Sequence, residues 1–161
     1  MEDGTKGEDH AVVDGLELVQ NLHAQRVQAY KKWDSAFKDY IASEDLTKSY
    51  GAYQALVEAV TKEFADISGQ IREIASAFDR QQRADLSHLL RRVQEAEKDK
   101  LQLTVAVQLG TVKSVQEHGE EKDFVWEREA KEKTNQIYKL MEQINDSLEE
   151  LRYARFELQQ E

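Results

Sequence analysis

None of the 161 residues is proline, and that absence limits the available folds more than any motif does. Proline closes strands, pre-sets turns and breaks helices. A β-rich or loop-rich chain of this length would carry several, so long uninterrupted helices are the expected form. The length suits one domain. There is also no cysteine, which removes disulfides, thiolate metal sites and a thiol nucleophile from consideration. No uncharged apolar run approaches the ~18 residues that a bilayer span needs. The start Met-Glu-Asp-Gly lacks the basic-then-apolar order of a secretory leader. These features predict an intracellular helical protein and leave nucleus and cytoplasm open.

Charge divides the chain. Residues 1–15 carry Glu2, Asp3, Glu8, Asp9 and Asp14 against Lys6, with Gly4, Gly7 and Gly15 interspersed. Such a composition predicts an acidic flexible tail. A first helical pattern then runs from about Leu16 to Ala42 through Leu22, Val27, Tyr30, Trp33 and Phe37, with Asp14 as its expected N-cap. The break Ser43-Glu44-Asp45 follows. In the second pattern Tyr53, Val57, Val60, Phe64, Ile67, Ile71, Ile74 and Phe78 step alternately by four and three. This unbroken heptad spacing predicts a packed helical seam, with Gly69 off it.

A third pattern starts near Asp85, read as an N-cap, with Leu86, Leu89, Leu90, Val93 and Ala96 on one side. Beyond Glu97-Lys98-Asp99-Lys100, the run Leu101, Leu103, Val105, Val107 and Leu109 alternates as a strand would. No second segment alternates to pair with it, so helix is favoured over strand. A helix apolar nearly all round there should be the most buried. After His118-Gly119 a fourth pattern reaches Glu161 with Ala130, Ile137, Met141, Ile144, Leu148, Leu151 and Leu158 as its stripe. Phe124 and Trp126, poor in apolar company, read as a hinge or anchor. The expected fold is therefore all-α: an antiparallel long-helix bundle, or coiled-coil-like hairpins, of about four helices. Its expected divisions are the tail 1–15, a three-helix core domain 16–116 and a long charged C-terminal helix 117–161.

The residue types needed for chemistry do not converge. Phosphate loops need clustered glycines, and these seven are scattered. A serine nucleophile needs a histidine base and an orienting acid, a context that His10, His23, His88 and His118 lack. Asp85-x-x-His88 occurs once and is followed by Arg91 and Arg92, which oppose a cation. No catalytic, cofactor or metal residue is assigned, and no enzyme is expected. Residues 79–116 are slightly basic although the whole chain carries -10. That overall charge repels a polyanion, so direct nucleic-acid binding is not expected. A membrane role is not expected either, for want of a basic amphipathic face. Candidate partner-docking residues are Arg91 and Arg92, Lys98 and Lys100 (reaching an acidic partner), and Ile144, Leu148, Leu151 and Leu158. The last four form a C-terminal stripe suited to another protein's helix.

Several strings resemble the required-for-excision 1-B domain family. They are Arg26-Val-Gln-Ala-Tyr30 with Phe37 and Tyr40, Tyr53 with Val60-Thr61, and Phe64-Ala-Asp-Ile-Ser68. The most specific is Gln94-Glu-Ala-Glu-Lys98-Asp-Lys100-Leu-Gln-Leu-Thr104 with Gln108. The resemblance covers about residues 16–115 and brings no catalytic or ligand residues with it. It implies an intracellular helical protein associated with DNA excision repair, and a nuclear location would suit that role. The expected function is a non-enzymatic interaction or adaptor protein. The alternative is a structural coiled-coil subunit of a cytoskeletal or axonemal assembly.

Overall fold

The computed structural model describes residues 2–160, with side chains over 7–160. Four helices follow one another: α1 Glu2–Ile41, α2 Leu46–Arg80, α3 Ala84–His118 and α4 Phe124–Gln160. Short connections make successive helices antiparallel, so the chain runs up, down, up and down. The segment 101–109 is helical and lies within α3.

Local chemistry sets the turns. Asp45 caps α2, its carboxylate accepting from Thr47 N at 3.1 Å and Lys48 N at 3.2 Å. Gly119 ends α3 at φ 60°, where a side chain would be strained. Asp85 is not the α3 cap. The cap position is Arg83, and Asp85 lies in the first turn, where it accepts from Arg83 Nη2 at 2.9 Å.

The α2 heptad is the wall of the core. Val60, Phe64, Ile67, Ile71, Ile74 and Phe78 are all buried. The lower cluster joins all four helices: Val12, Leu16, Val19 and Leu22 meet Ile71, Ile74 and Phe78, Leu86, Leu90 and Val93, and Ile144, Leu148 and Leu151. A smaller upper cluster holds Ala29 and Trp33 against Val60 and Phe64, with Tyr30, Tyr53 and Leu101 packed on it.

Both ends of the chain depart from the pattern that composition predicts. Met1 of the predicted tail lies outside the described residues, but from Glu2 onward the segment is α1, so Asp14 caps nothing. Val12 and Leu16, four residues apart, reach the core, while Glu8 and Asp14 stay exposed. Their burial offsets the ordering entropy that the charge count alone could not. Gly15 serves this contact: a Cβ there would come within 2.9 Å of Phe78 Cε1. Nor does α4 stand apart from a 16–116 domain, because Ile144, Leu148, Leu151 and Ala154 belong to the same core. Arg155 Nη1 also donates to Gln20 Oε1 at 2.6 Å, tying α4 to α1.

Two glycines give opposite expectations. At Gly69 a Cβ would meet only Arg72 Nη2 at 3.8 Å. Gly69→Ala should therefore raise stability by about 0.5–1 kcal/mol in thermal denaturation. At Gly110 it would overlap the Trp126 ring. Trp126 is the expected anchor of α4 on α3, its Nε1 donating to Thr111 Oγ1 at 3.2 Å. Gly110→Ala should lower stability by about 1–3 kcal/mol and alter tryptophan fluorescence as the indole is displaced.

Candidate functional site

A polar layer separates the two apolar clusters. On α1 the inward positions are Leu16, Val19, Leu22, Ala29 and Trp33, and Arg26 takes the place between Leu22 and Ala29 with only 3% of its surface exposed. Arg26 Nη2 donates to Ser68 Oγ on α2 at 3.1 Å and to Gln94 Oε1 on α3 at 3.0 Å. Gln94 Nε2 in turn donates to the Ser68 carbonyl at 3.2 Å. Glu97, 6% exposed, stands 3.9 Å from both Arg26 Nη1 and Lys100 Nζ. The Lys100 ammonium also lies 4.0 Å above the centre of the Tyr30 ring. Two cations thus share one carboxylate inside the bundle. Burial lowers the pKa of both Arg26 and Lys100, and Glu97 opposes that shift in each.

His23, one turn below Arg26 on α1, feels the same field. Burial first, then the positive charges of Arg26, Lys100 and Arg152, lower its pKa to about 4 from 6.5. The fold therefore holds His23 neutral, while the unfolded chain takes up a proton below its own pKa. Stability should fall as pH drops from about 6.5 to about 4 and be unaffected by this group above that window. Asp79, Asp85 and Asp123 are held below the usual 3.8 by hydrogen bonds, so their contribution is lost only at lower pH. His23→Gln should flatten the upper window in melting temperature measured against pH.

Beside the polar layer a groove of about 620 Å³ opens between α2 and α3, with α1 as its floor. Arg26, Ser68, Gln94 and Glu97 line its middle, Tyr30, Phe64 and Leu101 one end, and Arg72, Ser76 and Arg91 the other. The sequence-predicted docking residues are distributed differently from expectation. Lys98 is exposed on the groove, and Arg91 lies at its lower end, donating to Asp79 Oδ2 at 2.6 Å. Arg92 is exposed but does not line it. Lys100 is turned inward with Glu97, so Lys98 and Lys100 do not form one docking pair. Ile144, Leu148 and Leu151 are buried at 2%, 7% and 3% exposure, and Leu158 packs on the same core. This stripe meets the chain's own helices, which removes it as a free partner-binding edge.

The upper half of the α3–α4 hairpin is unlike the rest. Among the described residues none from 98 to 143 is buried. That overturns the expectation that 101–109 is the most buried stretch: Val105 and Leu109 are 38% and 67% exposed. At this end the upper cluster draws on α1 and α2, with Leu101 alone of α3 packed on it. Phe124 and Val125 are 70% and 71% exposed.

Apolar periodicity marks neither the polar layer nor this bare hairpin. Arg26 replaces an apolar residue in a four-three stripe, and a charge at such a position was the available signal.

The sequence is similar to known proteins. Residues 14–111 match the family model described as DNA repair REX1-B. The chain is 25% identical over 146 residues to a mouse protein, the required for excision 1-B domain-containing protein, covering 90% of this chain and 82% of the mouse one. No solved structure matches. Among the described residues no helix is long and apolar enough to cross a membrane.

Proposed function

The chain belongs to the DNA repair REX1-B family, and from that premise we propose that it serves DNA excision repair as a non-enzymatic helical interaction module. The observation that carries the interaction role is the hairpin 98–143, which buries no residue of its own and exposes Leu109, Phe124 and Val125. Exposed apolar groups concentrated on one element suit docking of another protein's apolar side chains. Charged residues alternate in sign around them, as in Glu127-Arg-Glu129 and Lys131-Glu-Lys133. A partner with an amphipathic helix of mixed charge fits such a surface better than a polyanion does. The alternative, a structural subunit of a cytoskeletal or axonemal assembly, is less supported where it would pack through the α4 stripe, because those side chains are occupied internally.

The test is complementation of cells that lack the endogenous copy, with lesion excision measured after DNA damage. Leu109→Glu with Phe124→Glu should leave the melting temperature close to wild type, because neither side chain is buried. The same variant should fail to restore excision. Full restoration by it would reject the hairpin as the working surface.

A further inference from the structure

The polar layer contains a donor and an acceptor that the fold itself does not pair. Arg26 Nη1 and both Glu97 carboxylate oxygens are buried without a hydrogen-bond partner among the described residues. They face each other at 3.9 Å, beyond hydrogen-bonding distance. Unpaired buried polar groups are costly, so a retained pair of opposite kinds marks what could satisfy both. A carboxylate or phosphate brought between them would be repelled by Glu97. An ammonium would be repelled by Arg26 and Lys100. The group that suits both is neutral and offers an acceptor and a donor side by side, as an amide-type edge or a nucleobase edge does.

The rest of the groove extends that requirement. Tyr30, Phe64 and Leu101 give it an apolar end for a planar ring. At its mouth Arg72 and Lys98 are exposed and have no carboxylate partner among the described residues. They lie on opposite walls, with Glu95 the acid beside them. A positive rim outside an interior whose unpaired groups are one donor and one acceptor selects an anionic group on an uncharged ring. The volume of about 620 Å³ lies within the ~300–1,000 Å³ usual for small-molecule sites.

We infer that the α2–α3 groove binds a mononucleotide, its base edge facing the Arg26–Glu97 pair and its phosphate against Arg72 and Lys98. The overall charge of -10 opposes a long polyanion more than a single nucleotide. This site is independent of the docking role, since it uses none of Leu109, Phe124 or Val125.

The test titrates the full chain with the four deoxynucleoside monophosphates, the matching nucleosides, inorganic phosphate and oligothymidylate. Heat of binding gives affinity, and amide chemical shifts locate the site in the unaltered protein. At least one monophosphate should bind at submillimolar concentration and shift the amides of Ser68, Gln94 and Glu97. Arg72→Glu with Lys98→Glu, both on the surface, should weaken the monophosphate by about tenfold or more and leave the nucleoside unchanged. Absence of binding at millimolar concentration would overturn the inference, as would shifts confined to other residues. Inorganic phosphate binding as tightly as the nucleotides would leave an anion site only, and tighter oligothymidylate would replace the mononucleotide with a strand; either result rejects the assignment.

Discussion

Glu97→Ala is expected to destabilise the protein by about 3–5 kcal/mol, because it leaves buried cations without their counter-charge. Arg26 and Lys100, 3% and 13% exposed, have Glu97 as the carboxylate within ion-pair distance. Burial already lowers the pKa of both, and removing Glu97 takes away the charge that opposes that shift. Equilibrium urea denaturation measures the loss, and a change below about 1 kcal/mol would mean that the layer is effectively solvated. A second variant separates charge from packing. Replacing all three groups by apolar residues of similar length, Arg26→Met with Glu97→Leu and Lys100→Met, should restore stability to near wild type or above it. Such a rescue would show that the polar layer is not kept for the sake of stability. It would also give a folded protein in which the groove's interior chemistry is gone, the natural control for ligand binding.

What the sequence discloses, and what it hides, follows from which residue types periodicity counts. The α2 seam from Tyr53 to Phe78 was legible because every position is apolar and the spacing never slips. Four helices and their breaks at 43–45 and 118–119 were legible for the same reason, together with the want of proline. Arg26 and Glu97 are hidden because an apolar stripe passes over a charge: it counts Val27 as inward, whereas Arg26 is the buried residue. The first turns of α1 are hidden by composition: five acids outweigh Val12 in residues 1–15, although that one apolar side chain, a turn ahead of Leu16, carries the packing into the segment. At Leu101–Leu109 composition misleads in the opposite direction. An all-round apolar helix predicts all-round cover, yet cover depends on how far the neighbouring helices contribute apolar groups at that level, and α4 opposite it is charged from Glu127 to Lys133. The same local sequence therefore reads as core by composition and as surface by context.

The stripe of α4 gives the second large effect, and it distinguishes a helix that completes a core from one that awaits a partner. Ile144→Ala and Leu151→Ala should each lower stability by about 2–5 kcal/mol in the isolated protein, through lost burial and the cavity left behind. Both side chains are nearly inaccessible and pack among residues of the other three helices. A helix held for a partner would respond otherwise: its stripe would tolerate alanine in the isolated chain and lose only the complex. Phe124→Ala supplies the internal contrast, since at 70% exposure it should change stability by less than about 0.5 kcal/mol. Denaturant midpoints with an unchanged slope would assign the losses to the native state rather than to a more expanded unfolded chain. The same physics extends to a chain ending at His118. Without α4, the lower faces of Leu86, Leu90 and Val93 and of Leu16 and Val19 would lose the apolar wall that Ile144, Leu148 and Leu151 provide. That fragment should either fail to melt cooperatively or self-associate to cover the exposed face. If it remained a cooperatively folded monomer, α4 would be an appendage after all, and its stripe would again be available to a partner.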